Sequence, residues 1–221
     1  FNLNPRAASI DTPLHAYVPK KHVDHMHPDA IIAIAASRDS QALTQEIFGE
    51  EIGWLPWKRP GYELGLWLQN FCAENPDAKG VILESHGLFT WADDAHECYE
   101  LTLRVIQTAM DWFDAKTGEM SAFGGAVHES LAPADRRAAA ARLMPAIRGM
   151  VSGAQHMVGH FDDSDTVLEF VNARNMPYLA ALGTSCPDHF LRTKIRPLVV
   201  DFDPAQPDIE TTLAGLADAV T

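Results

Sequence analysis

Lys21-His22-Val23-Asp24-His25-Met26-His27-Pro28-Asp29, followed by an unbroken apolar run over residues 30–36, is the stretch from which the chain is read. The apolar run has the length of a strand. On an extended backbone residues i and i+2 share a face, so His25 and His27 turn toward one point across Met26. Neutral imidazole is a good ligand for zinc and its neighbours, and two imidazoles held on one strand make half a metal site. A catalytic zinc takes about three protein ligands and keeps one position open. The best candidate for the third ligand is His86, in Glu84-Ser85-His86-Gly87-Leu88. A surface histidine pair at a strand edge is the alternative, and a second histidine at the end of another buried strand tells against it.

Outward from that stretch, the 221 residues are 47% apolar, with charges spread along the chain. Such a composition buries a core and folds as a soluble globule. Seventeen basic against thirty acidic residues give a net charge of −13, which disfavours nucleic-acid binding through a basic surface. Cys72, Cys98 and Cys186 are odd in number and widely spaced, the pattern of reduced thiols in a cytoplasmic protein. No apolar run approaches the roughly 18 residues of a membrane span, and no signal peptide is visible. The chain begins at Phe1 in what reads as mid-domain sequence, as a fragment would.

Residues 11–19 read as a strand or a short helix, and Pro19-Lys20-Lys21 as a turn. Asp39 or Ser40 caps a helix running to Phe48 and stopped by Gly49. Residues 52–61 form an aromatic segment closed by Pro60-Gly61. Leu64, Trp67, Leu68 and Phe71 recur at helical spacing within residues 62–74. Residues 79–84 are a short buried strand, with Ser85-His86-Gly87 at its C-terminal end, where ligand sites of α/β sheets concentrate. Asp93 or Asp94 caps a long helix to about Lys116.

Beyond that the character changes. Residues 121–130 are a Gly- and Ala-rich linker or excursion, and residues 133–151 a helix that Pro145 should kink or divide. Helices over 165–173 and 209–220 and a strand over 197–202 complete the expectation. The division is a core over residues 1–120 and an extension over 121–221.

Three pieces in order carry a resemblance: Asp11-x-x-x-His15, then His25-x-His27-Pro28, then Glu84-Ser85-His86-Gly87-Leu88 with Trp91 ahead of the long helix. Over roughly residues 9–117 the chain resembles the class II aldolase/adducin family. The later run Gly183-Thr184-Ser185-Cys186-Pro187-Asp188-His189-Phe190-Leu191-Arg192-Thr193-Lys194 is similar to the aldolase portion of bifunctional proteins joining a rhamnulose-1-phosphate aldolase to a short-chain dehydrogenase. The resemblance implies an α/β fold with a central mixed or antiparallel sheet flanked by helices, and a mainly helical C-terminal extension. It implies His25, His27 and His86 as ligands of Zn2+ or another divalent transition metal. It also implies Asp11 as acid/base, one methylene shorter than the Glu the family usually carries there.

The reaction implied is cleavage of a deoxyketose 1-phosphate, rhamnulose 1-phosphate first, to dihydroxyacetone phosphate and lactaldehyde through a zinc-stabilised enediolate. A pentulose-phosphate 4-epimerase and a non-catalytic adducin-like assembly module are the rivals. The resemblance further implies a cytoplasmic homo-oligomer that meets a small phosphorylated sugar, neither nucleic acid nor membrane, and is fused to a dehydrogenase in the full-length protein. No Gly-rich dinucleotide fingerprint occurs in this chain. The family's N-terminal phosphate-binding portion has no counterpart in it.

Among the other polar residues, His15 and His22 read as structural. Asp24 and Asp29 read as carboxylates that orient an imidazole or as solvated turn residues. Lys58 and Arg59 read as a surface pair or a phosphate contact. Trp54, Trp57 and Trp67 read as core or interface. Cys186, beside Asp188 and His189, reads as a small buried thiol rather than a nucleophile.

Overall fold

The computed structural model describes residues 6–118, 120–200, 202 and 208–220. Its elements are α1 (Thr12–Tyr17), β1 (His22–Met26), α2 (Asp29–Ala35), α3 (Ser40–Phe48), β2 (Ile52–Leu55), α4 (Tyr62–Glu74), β3 (Gly80–Leu83), β4 (Gly87–Ala92), α5 (Ala95–Thr117), α6 (Pro133–Val151), α7 (Asp165–Val171), α8 (Met176–Leu182), α9 (Pro187–Arg192) and α10 (Ile209–Val220).

The four strands form one mixed sheet in the order β1-β4-β3-β2. β4 is antiparallel to both β1 and β3, and β2 is parallel to β3. Side chains alternate across the sheet and feed two cores. Val81, Leu83, Phe89 and Trp91 pack with Leu14 of α1 and with Leu64 and Leu68 of α4. Ile82 and Leu88 face the other way, onto Ile31 and Ile34 of α2 and Leu101 and Val105 of α5. Because both faces are covered, β3 reads as a continuous apolar run rather than an alternating one.

The helices over residues 40–48, 62–74 and 95–117 lie where the periodicity places them. Asp94 caps α5 by accepting from the backbone N–H groups of His96 and Glu97. Residues 12–17 resolve as a helix. The apolar run over residues 30–36 departs from expectation, since it lies mostly in α2 and not in a strand. Pro28, with ψ 146°, is the last extended residue, and Ile31, Ile34 and Ala35 then recur at the i, i+3, i+4 spacing of a buried helix. Strands β2 and β4 are also additions: β2 is only four residues long, and β4 is buried on both faces and so shows no alternation.

Two compact units divide the chain. One takes the described residues up to Gly118 together with Thr184–Lys194, and the other those of Glu119–Gly183 and Ile195–Thr221. In the second unit α6 packs against α10, Ala126 bridges Ala173, and Arg136 pairs with Asp163 at 3.0 Å. α6 runs on through Pro145 as a single helix. The strand expected over 197–202 does not form at residues 197–200 or 202, and Asp201 lies outside the described residues. Among the described residues no helix is long and apolar enough to cross a membrane.

Candidate metal centre

His25 is the fourth residue of β1 and stands opposite Phe89 of β4, where the two rings stack at 4.0 Å between centroids and 14° between planes. Phe89 is fully buried, so the stack fixes the plane of the His25 ring. The Nδ1 atom of His25 lies 2.9 Å from the Leu88 carbonyl oxygen. A carbonyl only accepts, so Nδ1–H donates and Nε2 presents its lone pair. His27 follows on the same face just past the strand, and its Nε2 stands 3.0 Å from that of His25.

His86 reaches the same point from the β3–β4 hairpin. Leu83 pairs with Gly87, leaving residues 84–86 as the connection between β3 and β4. Ser85 takes a left-handed φ of 52°, a conformation that costs a non-glycine residue on the order of 1 kcal/mol or more. The backbone holds it there: Ser85 N–H donates to Ala35 O at 2.8 Å, and His86 N–H donates to Leu83 O at 3.1 Å. The Glu84 carboxylate adds a tie by accepting from the Trp57 backbone N–H at 2.7 Å.

Gly87 completes the arrangement. A Cβ there would lie 2.3 Å from the His27 ring and 2.8 Å from the Met26 carbonyl oxygen. Only glycine lets β4 approach the histidine pair this closely.

One ligand atom from each of His25, His27 and His86 falls within 4.8 Å of the other two. Ring centroids are 4.6 Å apart for His25 and His27, 4.9 Å for His25 and His86, and 5.2 Å for His27 and His86. His86 is 3% exposed, and its Nδ1 is buried with no hydrogen-bond partner among the described residues. Burial pushes the His25 imidazole down to about 4, helped by the charges of His86 and His27 and opposed by the Leu88 carbonyl and by Asp11. Burial and then the charge of His27 push His86 down to about 4 as well. Three converging imidazoles, one with an unsatisfied buried nitrogen, suit a divalent transition metal.

Asp11 occupies the N-cap position of α1, yet its side chain makes no capping bond. Its Oδ1 is buried without a partner among the described residues, and its charge acts on His25. His15, exposed, lies edge-on to Phe89 and to His25. His22 is exposed at the start of β1 and Asp29 in the first turn of α2.

Asp24 does not orient an imidazole. Its side chain points to the opposite face from His25 and accepts from Thr102 of α5 at 3.0 Å. Lys58 pairs with Glu63 at 2.6 Å and lies over the Trp67 ring. Trp54 donates to Ser40.

The residue that sequence reasoning passed over is Asp188. Its Oδ2 stands 2.5 Å from His27 Nδ1. That bond holds the Asp188 carboxyl below the usual carboxylate range. Cys186 is a free thiol, buried beside the same pair. The separation of 161 positions between His27 and Asp188 leaves no local signal for this contact.

The mixed sheet brings together three imidazoles, two from the end of β1 and one from the turn between β3 and β4, in the number a catalytic metal takes. The profile of the class II aldolase and adducin N-terminal domain matches residues 2–112, and that of the class II aldolase second domain matches residues 138–221. The chain belongs to the class II aldolase family, whose members are generally dependent on a divalent metal.

An uncharacterized oxidoreductase of Bacillus subtilis (strain 168), YuxG, is 40% identical over 201 residues, covering 91% of this chain and 29% of that protein. The chain thus spans under a third of that curated relative. Among solved structures, the N-terminal class II aldolase domain of a conserved protein from Thermoplasma acidophilum is 29% identical over 51% of each chain, with a TM-score of 0.46. An aldolase II superfamily protein from Pseudomonas syringae is 19% identical over 49% of this chain and 46% of its own, with a TM-score of 0.39.

Proposed function

We propose that this chain is a metal-dependent aldehyde-lyase that cleaves a deoxyketose 1-phosphate, rhamnulose 1-phosphate first, to dihydroxyacetone phosphate and lactaldehyde. The observation that carries the metal centre is the facing of two lone pairs. Both partners of the Nδ1 atoms, the Leu88 carbonyl and the Asp188 carboxylate, accept hydrogen bonds, so in neutral rings both Nε2 atoms direct lone pairs at one another across 3.0 Å. Lone pairs at that distance repel unless a cation or a proton lies between them; burial disfavours the proton on His25, so either an Nε2–H of His27 or a metal closes the gap, and buried His86 offers the third ligand that a metal takes. Two ligands on a tetrahedral zinc, bonded at about 2.0–2.1 Å, stand a little over 3 Å apart, which matches.

His25, His27 and His86 would hold the ion, and being neutral they leave its positive charge undiminished. A divalent metal so held supplies a Lewis acid for a ketose carbonyl and its neighbouring hydroxyl, with no need of a Schiff-base lysine. The residues of the chain do the rest. Asp11, with an unpartnered buried oxygen beside His25, carries the proton at the adjacent carbon. In the synthetic direction it takes that proton from the hydroxymethyl carbon of the triose phosphate, and in cleavage it returns it. The stack of His25 on Phe89 and the left-handed turn at Ser85 keep the histidines in place before substrate arrives.

The same centre serves a pentulose-phosphate 4-epimerase, and products separate the two. Incubation of the metal-loaded protein with rhamnulose 1-phosphate should release lactaldehyde and triose phosphate in equal amounts. An epimerised pentulose phosphate in place of those products would favour the epimerase. Turnover of neither, in a protein that assembles without metal, would favour an adducin-like assembly module.

We further propose a cytoplasmic homo-oligomer fused to a dehydrogenase. The oxidoreductase activity in the name of YuxG would then reside in the part of that relative beyond the region shared with this chain.

A further inference from the structure

Residues 184–194 belong to the compact unit of the sheet, although the segments on both sides of them build the other unit. Buried Cys186 and Pro187 anchor the segment, and Pro187 opens α9 with the fixed φ that suits a first turn. One residue later the Asp188 side chain meets His27. His25 and His27 therefore have matching surroundings, each with an acceptor at Nδ1 and its Nε2 turned inward. The acceptor differs: for His25 it is a carbonyl of the neighbouring strand, and for His27 a carboxylate from a distant segment.

We propose that Asp188 is a positioning residue of the centre, locking His27 in the Nδ1–H tautomer with Nε2 free to ligate, so that docking of residues 184–194 and metal binding stabilise one another. The proposal rests on the metal-centre reading of His25, His27 and His86. A carboxylate behind a ligating imidazole fixes the ring and raises its basicity, and losing such a partner typically weakens metal affinity about 10–100-fold. The coupling is reciprocal: whatever metal gains from the docked segment, the segment gains from metal.

His27, Cys186 and Asp188 also form a group with ligand atoms within 4.8 Å of one another. The 2.5 Å between Nδ1 and Oδ2 is a hydrogen bond and leaves no room for an ion between them, since ligands of one metal stand about 3 Å apart. Arg192 lies 3.9 Å from the other Asp188 oxygen and is 80% exposed, too weak a partner to draw the carboxylate away.

The test is zinc affinity of the full chain, measured by competition with a chromophoric chelator, for the wild type, Asp188→Ala, Asp188→Asn and Cys186→Ser. It is read beside the ring-nitrogen NMR signals of His27 in the metal-free proteins. Asp188→Ala should weaken zinc about 10–100-fold and release His27 into a tautomer mixture. Asp188→Asn, which still offers an accepting oxygen, should recover part of both effects and serves as the check that the fold is intact. Cys186→Ser should bind zinc as the wild type does.

Unchanged affinity in Asp188→Ala, or a Cys186→Ser loss as large as that of Asp188→Ala, would overturn the proposal. Should the wild type take up no zinc, the metal reading falls by itself. The metal-free His27 signals would still decide the role of Asp188: an Nε2–H tautomer in the wild type would refute it.

Discussion

The Nε2 atoms of His25 and His27 face each other at 3.0 Å, while the Nδ1 of each ring is engaged outward, by Leu88 O on one side and by Asp188 on the other. An arrangement that gathers ligand lone pairs and ties down the remaining nitrogens is preorganised for a cation.

Gly87→Ala should damage the centre without replacing a ligand. The added Cβ would meet the His27 ring at 2.3 Å and the Met26 carbonyl at 2.8 Å, so β1 or the ring must move. Overpacking of this kind costs about 1–3 kcal/mol. Calorimetry should show a lowered Tm and chelator competition a zinc affinity reduced at least about tenfold. A variant that matches the wild type in both would contradict the geometry assigned to the turn.

Asp11→Asn should separate chemistry from metal binding. The amide keeps the size of the side chain but cannot carry the proton. The loss of a positioned acid/base should lower turnover about 10²–10⁴-fold. Zinc content should stay near that of the wild type, because the three imidazoles remain. Full activity in this variant would remove Asp11 from the reaction.

Glu51 predicts the acid limb of stability. It accepts from Arg104 through both oxygens at 2.8 Å and from Lys79 at 3.0 Å, and the Arg104 bond chiefly holds its carboxyl down at about 2. Between the ordinary value of 4.5 and about 2 the unfolded chain binds more protons than the folded one, so stability falls as the pH falls through that window. The group is partly exposed, which limits its worth at neutral pH to about 1 kcal/mol. Denaturant titration of Glu51→Gln should show that loss at pH 7, shrinking toward zero near pH 2. A constant difference across the window would contradict the assignment.

Zinc should protect the segment that carries Asp188. Binding that favours the docked state slows the exchange of amide hydrogens in that segment. Hydrogen-exchange mass spectrometry of residues 187–192 should show slower exchange with zinc than without, and no such difference in Asp188→Ala.

Much of this was legible in the sequence, and the failures have physical causes. α3, α4, α5 and α10 were readable because amphipathic periodicity and flanking polar or glycine residues mark helices of nine residues or more. The run over residues 30–36 misled because a short buried helix and a buried strand share one composition, and only Pro28 separates them. β2 is four residues long and holds Gly53 against the Phe71 ring, so it carries no alternation.

The convergence of His25, His27 and His86 was anticipated from strand geometry and strand ends. Asp188 was not, since nothing local to Cys186-Pro187-Asp188 announces which distant residue it will meet. By its place in the sequence Asp24 reads equally as an orienting carboxylate or a solvated turn residue, and strand alternation makes it neither, turning it away to Thr102.

The central claim is that histidines from two separate segments, the end of β1 and the β3–β4 turn, build one metal site, and metal content tests it most directly. Elemental analysis of the purified protein, beside His25→Ala and His86→Ala, should find about one zinc or equivalent transition metal per chain in the wild type. Both variants should lose it. A folded wild-type protein that carries no metal and takes none up, or a His86→Ala variant that keeps a full equivalent, would contradict the account.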